Sequence, residues 1–124
     1  MKRAQNYFLV FVLTISMSSL ACVRTTSRPS LIFSPDTLPD AQVGVPYEVE
    51  IQILQNVTPP GDFSLSEGNL PKGLTLEFMQ GKDKARIYGV PEEAGTFIFK
   101  VSVWCYGTSI NGQTGEKEYT LKVK

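Results

Sequence analysis

The sequence predicts an all-β domain, a two-layer antiparallel sandwich of about seven strands. Three observations predict it. Apolar and polar residues alternate with a period of two in three long stretches. Clusters rich in Pro, Gly, Asn and Asp punctuate the chain at short intervals. No stretch beyond Leu31 carries a helical period of useful length.

Taken in order, the first expected strand is short, Leu31–Phe33. Tyr47, Val49, Ile51 and Ile53 then alternate with Glu48, Glu50 and Gln52, which gives one dry and one wet face. Shorter strands are expected at Phe63–Leu65, Leu74–Phe78 and Ala85–Tyr88. The longest run sets Phe97, Phe99, Val101, Val103 and Cys105 inward and Ile98, Lys100, Ser102, Trp104 and Tyr106 outward. Tyr119, Leu121 and Val123 alternate with Glu118, Thr120, Lys122 and Lys124 in the last strand. Turns are expected at Pro59-Pro60-Gly61, Asn69–Gly73, Gly81-Lys82-Asp83, Pro91–Gly95 and Asn111-Gly112, the last suited to a hairpin tip. Burying each inward side chain contributes about 1.5–3 kcal/mol as an upper value, so roughly a dozen of them offset the ordering entropy of one small domain.

Three stretches resemble a known family. Leu38–Tyr47 (Leu-Pro-Asp-Ala-Gln-Val-Gly-Val-Pro-Tyr) is similar to the opening of the immunoglobulin-like, cadherin-like module that recurs in bacterial surface proteins. Leu65–Leu76 is similar to that family's Leu-Pro-x-Gly-Leu-Thr-Leu turn and strand. Gly89–Phe97 is similar to its Gly-x-Pro-x-x-Ala-Gly-Thr-aromatic segment. The likeness runs from about Leu38 to Val123 and implies an immunoglobulin-like β-sandwich and a non-catalytic interaction or adhesion module. The chain departs from the family at Trp104-Cys105-Tyr106-Gly107, where many modules end the long strand in Thr-Asp-Ser.

The first 21 residues read as a secretory signal peptide: Lys2 and Arg3, an apolar stretch from Tyr7 to Ile15, then small residues. The apolar stretch is shorter than the ~20 residues needed to cross a bilayer. Ser19-Leu20-Ala21-Cys22 resembles the lipobox of bacterial lipoproteins, with Ser19 where that family favours leucine. The resemblance implies a diacylglyceryl group on Cys22 and a lipid-anchored, exported protein of the cell membrane or outer membrane, with Val23 leaning towards the latter. The expected organisation is a leader over 1–21, a lipidated Cys22 with a flexible tether over 22–30, and one sandwich domain over 31–124. Only two cysteines exist, Cys22 and Cys105. Either Cys22 carries lipid and Cys105 is a thiol, or the two are bridged, which would contribute about 4 kcal/mol in the chain-entropy model. A thioether sulfur cannot do both.

Composition narrows the function classes. Twelve Lys and Arg face twelve Asp and Glu, and they are scattered singly, so no basic patch offers itself to nucleic acid. There is no histidine, no Gly-x-Ser-x-Gly elbow and no phosphate-binding loop. Catalytic residues, metal ligands and cofactors are therefore not expected, and the chain reads as no enzyme. Asp36 and Asp40, even with Glu92 and Glu93, fall short of the six to eight oxygens calcium takes. The candidate binding surface is Ile98, Trp104 and Tyr106 on the outer parity of the long strand, with Ile110 and Asn111 of the loop that follows. The expected partners are the membrane, through the lipid anchor, and an envelope protein or a surface glycan. The alternative is an accessory subunit of an envelope or secretion complex with no ligand of its own.

Overall fold

The computed structural model describes residues 28–108 and 111–124. The expected leader, Cys22, the tether as far as residue 27, and Ile110 lie outside the described residues. Seven strands follow in order: β1 (Ile32–Ser34), β2 (Tyr47–Leu54), β3 (Pro60–Gly68), β4 (Leu74–Phe78), β5 (Lys84–Gly89), β6 (Gly95–Cys105) and β7 (Thr114–Val123). One sheet has the order β1-β2-β5-β4 and the other β3-β6-β7. All strand pairings are antiparallel. This arrangement, with the first, second, fifth and fourth strands over the third, sixth and seventh, is that of the constant-type immunoglobulin sandwich. The chain is an all-β, immunoglobulin-like sandwich, as the sequence predicts.

The period of two accounts for the core. Phe99, Val101, Val103 and Cys105 of β6 are buried, while Ile98 and Trp104 between and beside them are exposed. Ile51 and Ile53 of β2, Ala85 and Ile87 of β5, and Tyr119, Leu121 and Val123 of β7 close the space from the facing sheet and the flank. Phe63 of β3 stacks on Phe78 of β4 with ring centroids 5.4 Å apart, which seals the side where the two sheets' edges meet. Tyr119 is the largest fully buried side chain, and its hydroxyl donates to the Pro35 carbonyl at 2.8 Å. Burial first, then the charge of Asp36, pushes its phenol up from the ordinary value near 10 to about 12.

Two turns expected from the sequence are corrected. Pro60 and Gly61 are not in a turn but open β3, where Pro60 faces Cys105 and the ladder shifts register before Asp62. An irregularity at a strand end tolerates both residue types, because it leaves a proline without a donor and a glycine without a side chain to pack. Asn111-Gly112 is not a hairpin tip. The β6–β7 ladder ends at the Trp104–Thr114 pair, and Gly112 lies on the returning limb of a longer connection, against the Cys105 carbonyl. The Asn69–Gly73 turn is as expected. Gly73 takes a φ of 96°, and a Cβ there would run into the Val90 carbonyl oxygen.

Stability should reflect these placements. Gly81 also has positive φ (75°), but a Cβ there meets nothing. Gly81→Ala is expected to cost about 1–2 kcal/mol, the left-handed penalty alone, and Gly73→Ala clearly more, as read from urea midpoints. A second expectation concerns alkali. The folded state holds the Tyr119 proton to higher pH than the unfolded chain, so stability is fully present below pH 10 and falls as pH rises from 10 towards about 12. Tyr119→Phe should lose about 1 kcal/mol at neutral pH with its hydrogen bond and show a smaller alkaline decline.

Candidate functional site

The antiparallel order brings three connections to one end of the sandwich: β2–β3 (residues 55–59), β4–β5 (79–83) and β6–β7 (106–113). Residue 28, where the described chain begins, lies at the same end. Trp104 is the last outward residue of β6, and its ring lies across Gly61, whose missing side chain leaves the space it fills. Tyr106 follows beyond the strand. The two rings meet edge to face, 5.0 Å apart at 79°. Trp104 remains 44% exposed and Tyr106 54%. Val57, on the β2–β3 connection, is the most exposed large apolar residue among the described residues at 61%.

The backbone under these side chains is fixed by hydrogen bonds. The Tyr106 N–H donates to the Pro59 carbonyl at 3.2 Å, and the Thr58 hydroxyl donates to the Tyr106 carbonyl at 2.6 Å. Arg28 reaches the same place: its Nη1 donates to the Tyr106 carbonyl and the Thr58 hydroxyl, both at 3.4 Å, and its Nη2 to the Thr108 hydroxyl at 2.9 Å. Arg28 is thus tied to both the β2–β3 and the β6–β7 connections. Beside Tyr106 a cleft of about 310 Å³ is lined by Pro59, Pro60, Gly61, Phe78 and Gln80.

Gln113 joins these segments from inside. It is a buried polar residue, 6% exposed, with every side-chain group used. Its Oε1 accepts from the Val57 N–H at 2.7 Å. Its Nε2 donates to the Pro29 carbonyl at 2.7 Å and the Gln55 carbonyl at 3.0 Å. Sequence reasoning missed it. The available signal was parity, because Gln113 sits six, eight and ten residues before Tyr119, Leu121 and Val123, on their buried side.

The expected surface is thus brought together only in part. Trp104 and Tyr106 form one patch, joined by Val57, which the sequence did not single out. Asn111 is exposed on the same connection, and Ile110 lies outside the described residues. Ile98 is exposed on the same face but six residues earlier, opposite Thr120, about 20 Å away along the strand.

The other groups the sequence brought forward are dispersed. Asp36 pairs with Lys117, Asp40 with Lys124 at 3.1 Å, and Glu92 with Lys72 at 3.6 Å. Among the described residues no three His, Cys, Asp or Glu converge on a point where a metal could sit. Cys105 is buried and unbridged among the described residues, and burial, more than the nearby Asp83, pushes its thiol up. A second cleft, about 420 Å³, opens at the opposite end between Pro46, Tyr47, Tyr88 and Val90.

Comparison with known proteins bears on the architecture. No protein-family model matches the chain, and no curated protein matches it. Among solved structures, the endo-fucoidan hydrolase MfFcnA4 of glycoside hydrolase family 107 is similar with a TM-score of 0.56 at 14% identity, over 80% of this chain and 14% of that one. The SrpA adhesin of Streptococcus sanguinis is similar with a TM-score of 0.50 at 11% identity, over 80% of this chain and 57% of that one. The PapD-like domain of human CEP192 aligns at 0.48 with 12% identity, over 87% of this chain and 96% of that one. At such identities the first two show a shared β-sandwich fold, and this chain spans less than two thirds of either protein.

Replacing Gln113 tests the clasp. Gln113→Ala leaves the Val57 N–H and two carbonyls without partners and is expected to cost about 2–4 kcal/mol in urea unfolding. Hydrogen exchange should quicken first at Val57.

Proposed function

We propose that the chain is an envelope lipoprotein, anchored through Cys22, whose immunoglobulin-like domain makes non-catalytic contacts through the Trp104–Tyr106 end. The observation that carries this reading is the aromatic pair itself. Two large rings stand exposed on a backbone fixed by Gly61, Thr58 and Arg28, so little side-chain or loop ordering remains to be lost when something binds. Rigid, partly apolar Trp and Tyr surfaces of this kind dominate binding energetics where they occur. The fold suits such a role, and it is one that an adhesin carries too.

The anchor rests on the Ser19-Leu20-Ala21-Cys22 sequence, and the burial of Cys105 supports it. A bridge needs the two Cα atoms within about 7 Å. Cys105 is 3% exposed, between the sheets, and unbridged among the described residues. With Cys105 a core thiol, Cys22 would carry the lipid, and two or three acyl chains make a stable anchor.

Two measurements test the reading. The intact mass of the membrane-extracted protein should exceed that of the peptide from Cys22 by at least a diacylglyceryl group, and Cys22→Ser should abolish the increment. Crosslinking from whole envelopes should capture a component whose yield falls about tenfold, the equivalent of ~1.4 kcal/mol, in Trp104→Ala or Tyr106→Ala. Unchanged capture in both variants would place the contact elsewhere on the domain.

A further inference from the structure

From the Arg28 contacts and the exposed side chains around them, we infer that the surface met by Val57, Tyr106 and Trp104 is the headgroup region of the bilayer that holds the anchor. This rests on the proposed acylation of Cys22 and names the occupant of the same patch.

Five residues separate Cys22 from Arg28. Six Cα steps of about 3.3–3.6 Å hold Arg28 within roughly 20 Å of the acylated residue, however the intervening chain runs. Arg28 is bonded to Thr58, Tyr106 and Thr108, and Pro29 to Gln113. The end of the sandwich formed by these connections is therefore the end that an anchor at Cys22 draws to the lipid surface.

Exposed apolar side chains alone do not choose between the two ends. The far end carries Val43, Val45 and Val90, each more than two fifths exposed. The near end differs in two ways. It is where the chain from the anchor arrives, and it exposes a Trp and a Tyr beside Val57 and Leu54, where the most exposed large side chains of the far end are aliphatic. Aromatic rings with one polar edge favour the membrane–water boundary, where the ring is partly dehydrated and the N–H or O–H stays solvated. Trp104 and Tyr106 present that chemistry, with Val57 the most exposed of the three. Each contact is weak beside the acyl chains, so its effect is to orient the domain rather than to retain it.

The chain has one tryptophan, so Trp104 reports its own surroundings. The membrane-extracted full-length protein is reconstituted into phosphatidylethanolamine–phosphatidylglycerol vesicles, with and without acyl chains brominated near the glycerol. Trp104 emission should shift to shorter wavelength on reconstitution and be quenched by the bromines. In a Trp104→Phe, Val90→Trp variant the reporter at the far end should be quenched by neither vesicle, with far-ultraviolet circular dichroism confirming the sheet. Val57→Asp, which leaves Trp104 in place, should reduce its quenching. Trp104 emission equal in brominated and plain vesicles, for protein whose mass carries the lipid, overturns the orientation while leaving the anchor intact and the patch open to a protein or glycan. Stronger quenching at Val90→Trp than at Trp104 overturns it as well. A mass without lipid removes the anchor and the orientation together.

Discussion

The burial of one face of β6 is the constraint on which the rest of the molecule depends. β6 is the strand paired on both sides in its sheet, with β3 and β7. Its inner residues Phe99, Val101, Val103 and Cys105 fill the middle of the sandwich against Ile51, Ile53 and Ile87. A slip of one residue would exchange Val103 with Trp104 and Val101 with Ser102, at about 1.5–3 kcal/mol for each apolar side chain moved into water. The exposure of Trp104 is thus a consequence of the core. The side chain is outside because its two neighbours cannot be.

The ends of the sandwich need a different kind of interaction, because connections carry backbone groups that no ladder satisfies. At the near end one amide, Gln113, satisfies the Val57 N–H and the Pro29 and Gln55 carbonyls from within the protein. At the far end backbone groups do most of this for one another. Ala41 exchanges hydrogen bonds with Lys122 and Lys124, and Gly44 donates to the Pro91 carbonyl. The ion pairs on the outer faces, such as Lys84–Glu50 at 2.7 Å and Arg86–Glu77 at 2.6 Å, are open to solvent and contribute little. Arg86 and Glu77 face each other across β5 and β4, while Lys84 reaches Glu50 diagonally across β5 and β2, and both pairs reinforce a register that the core already sets.

Legibility in the sequence followed the strength of alternation. β2, β6 and β7 each keep a two-residue rhythm over many residues, and a rhythm that long has one reading. β3 does not. Its first residues are Pro60 and Gly61, which read as a turn, and its register shifts twice along the pairing with β6. What makes those residues a strand is the Trp104 ring lying on Gly61, a contact between positions more than forty residues apart that no local pattern carries. The site divides in the same way. Trp104 and Tyr106 were legible as outward residues of a long strand, whereas Val57 lies in a connection where an apolar side chain follows no period. Gln113 was legible only through its parity with Tyr119, and its three partners come from the β2–β3 connection and from the segment before β1.

The same core that exposes Trp104 also sets what lies furthest from it. β6 has eleven residues, which at about 3.3 Å each separates the two ends of the sandwich by roughly 35 Å. In the proposed orientation, with the Arg28 end towards the lipid, the cleft between Tyr47 and Tyr88 would stand at the opposite end, away from the headgroups. Its framework is firm. The Tyr47 hydroxyl donates to the Pro39 carbonyl at 2.9 Å, and the Arg86 guanidinium lies 4.5 Å from the Tyr88 ring centre. One strand thus sets the Trp104–Tyr106 pair and the Tyr47–Tyr88 cleft at opposite ends of the sandwich. Both ends expose apolar side chains, and they differ in the Trp104–Tyr106 pair and in where Arg28 joins the fold.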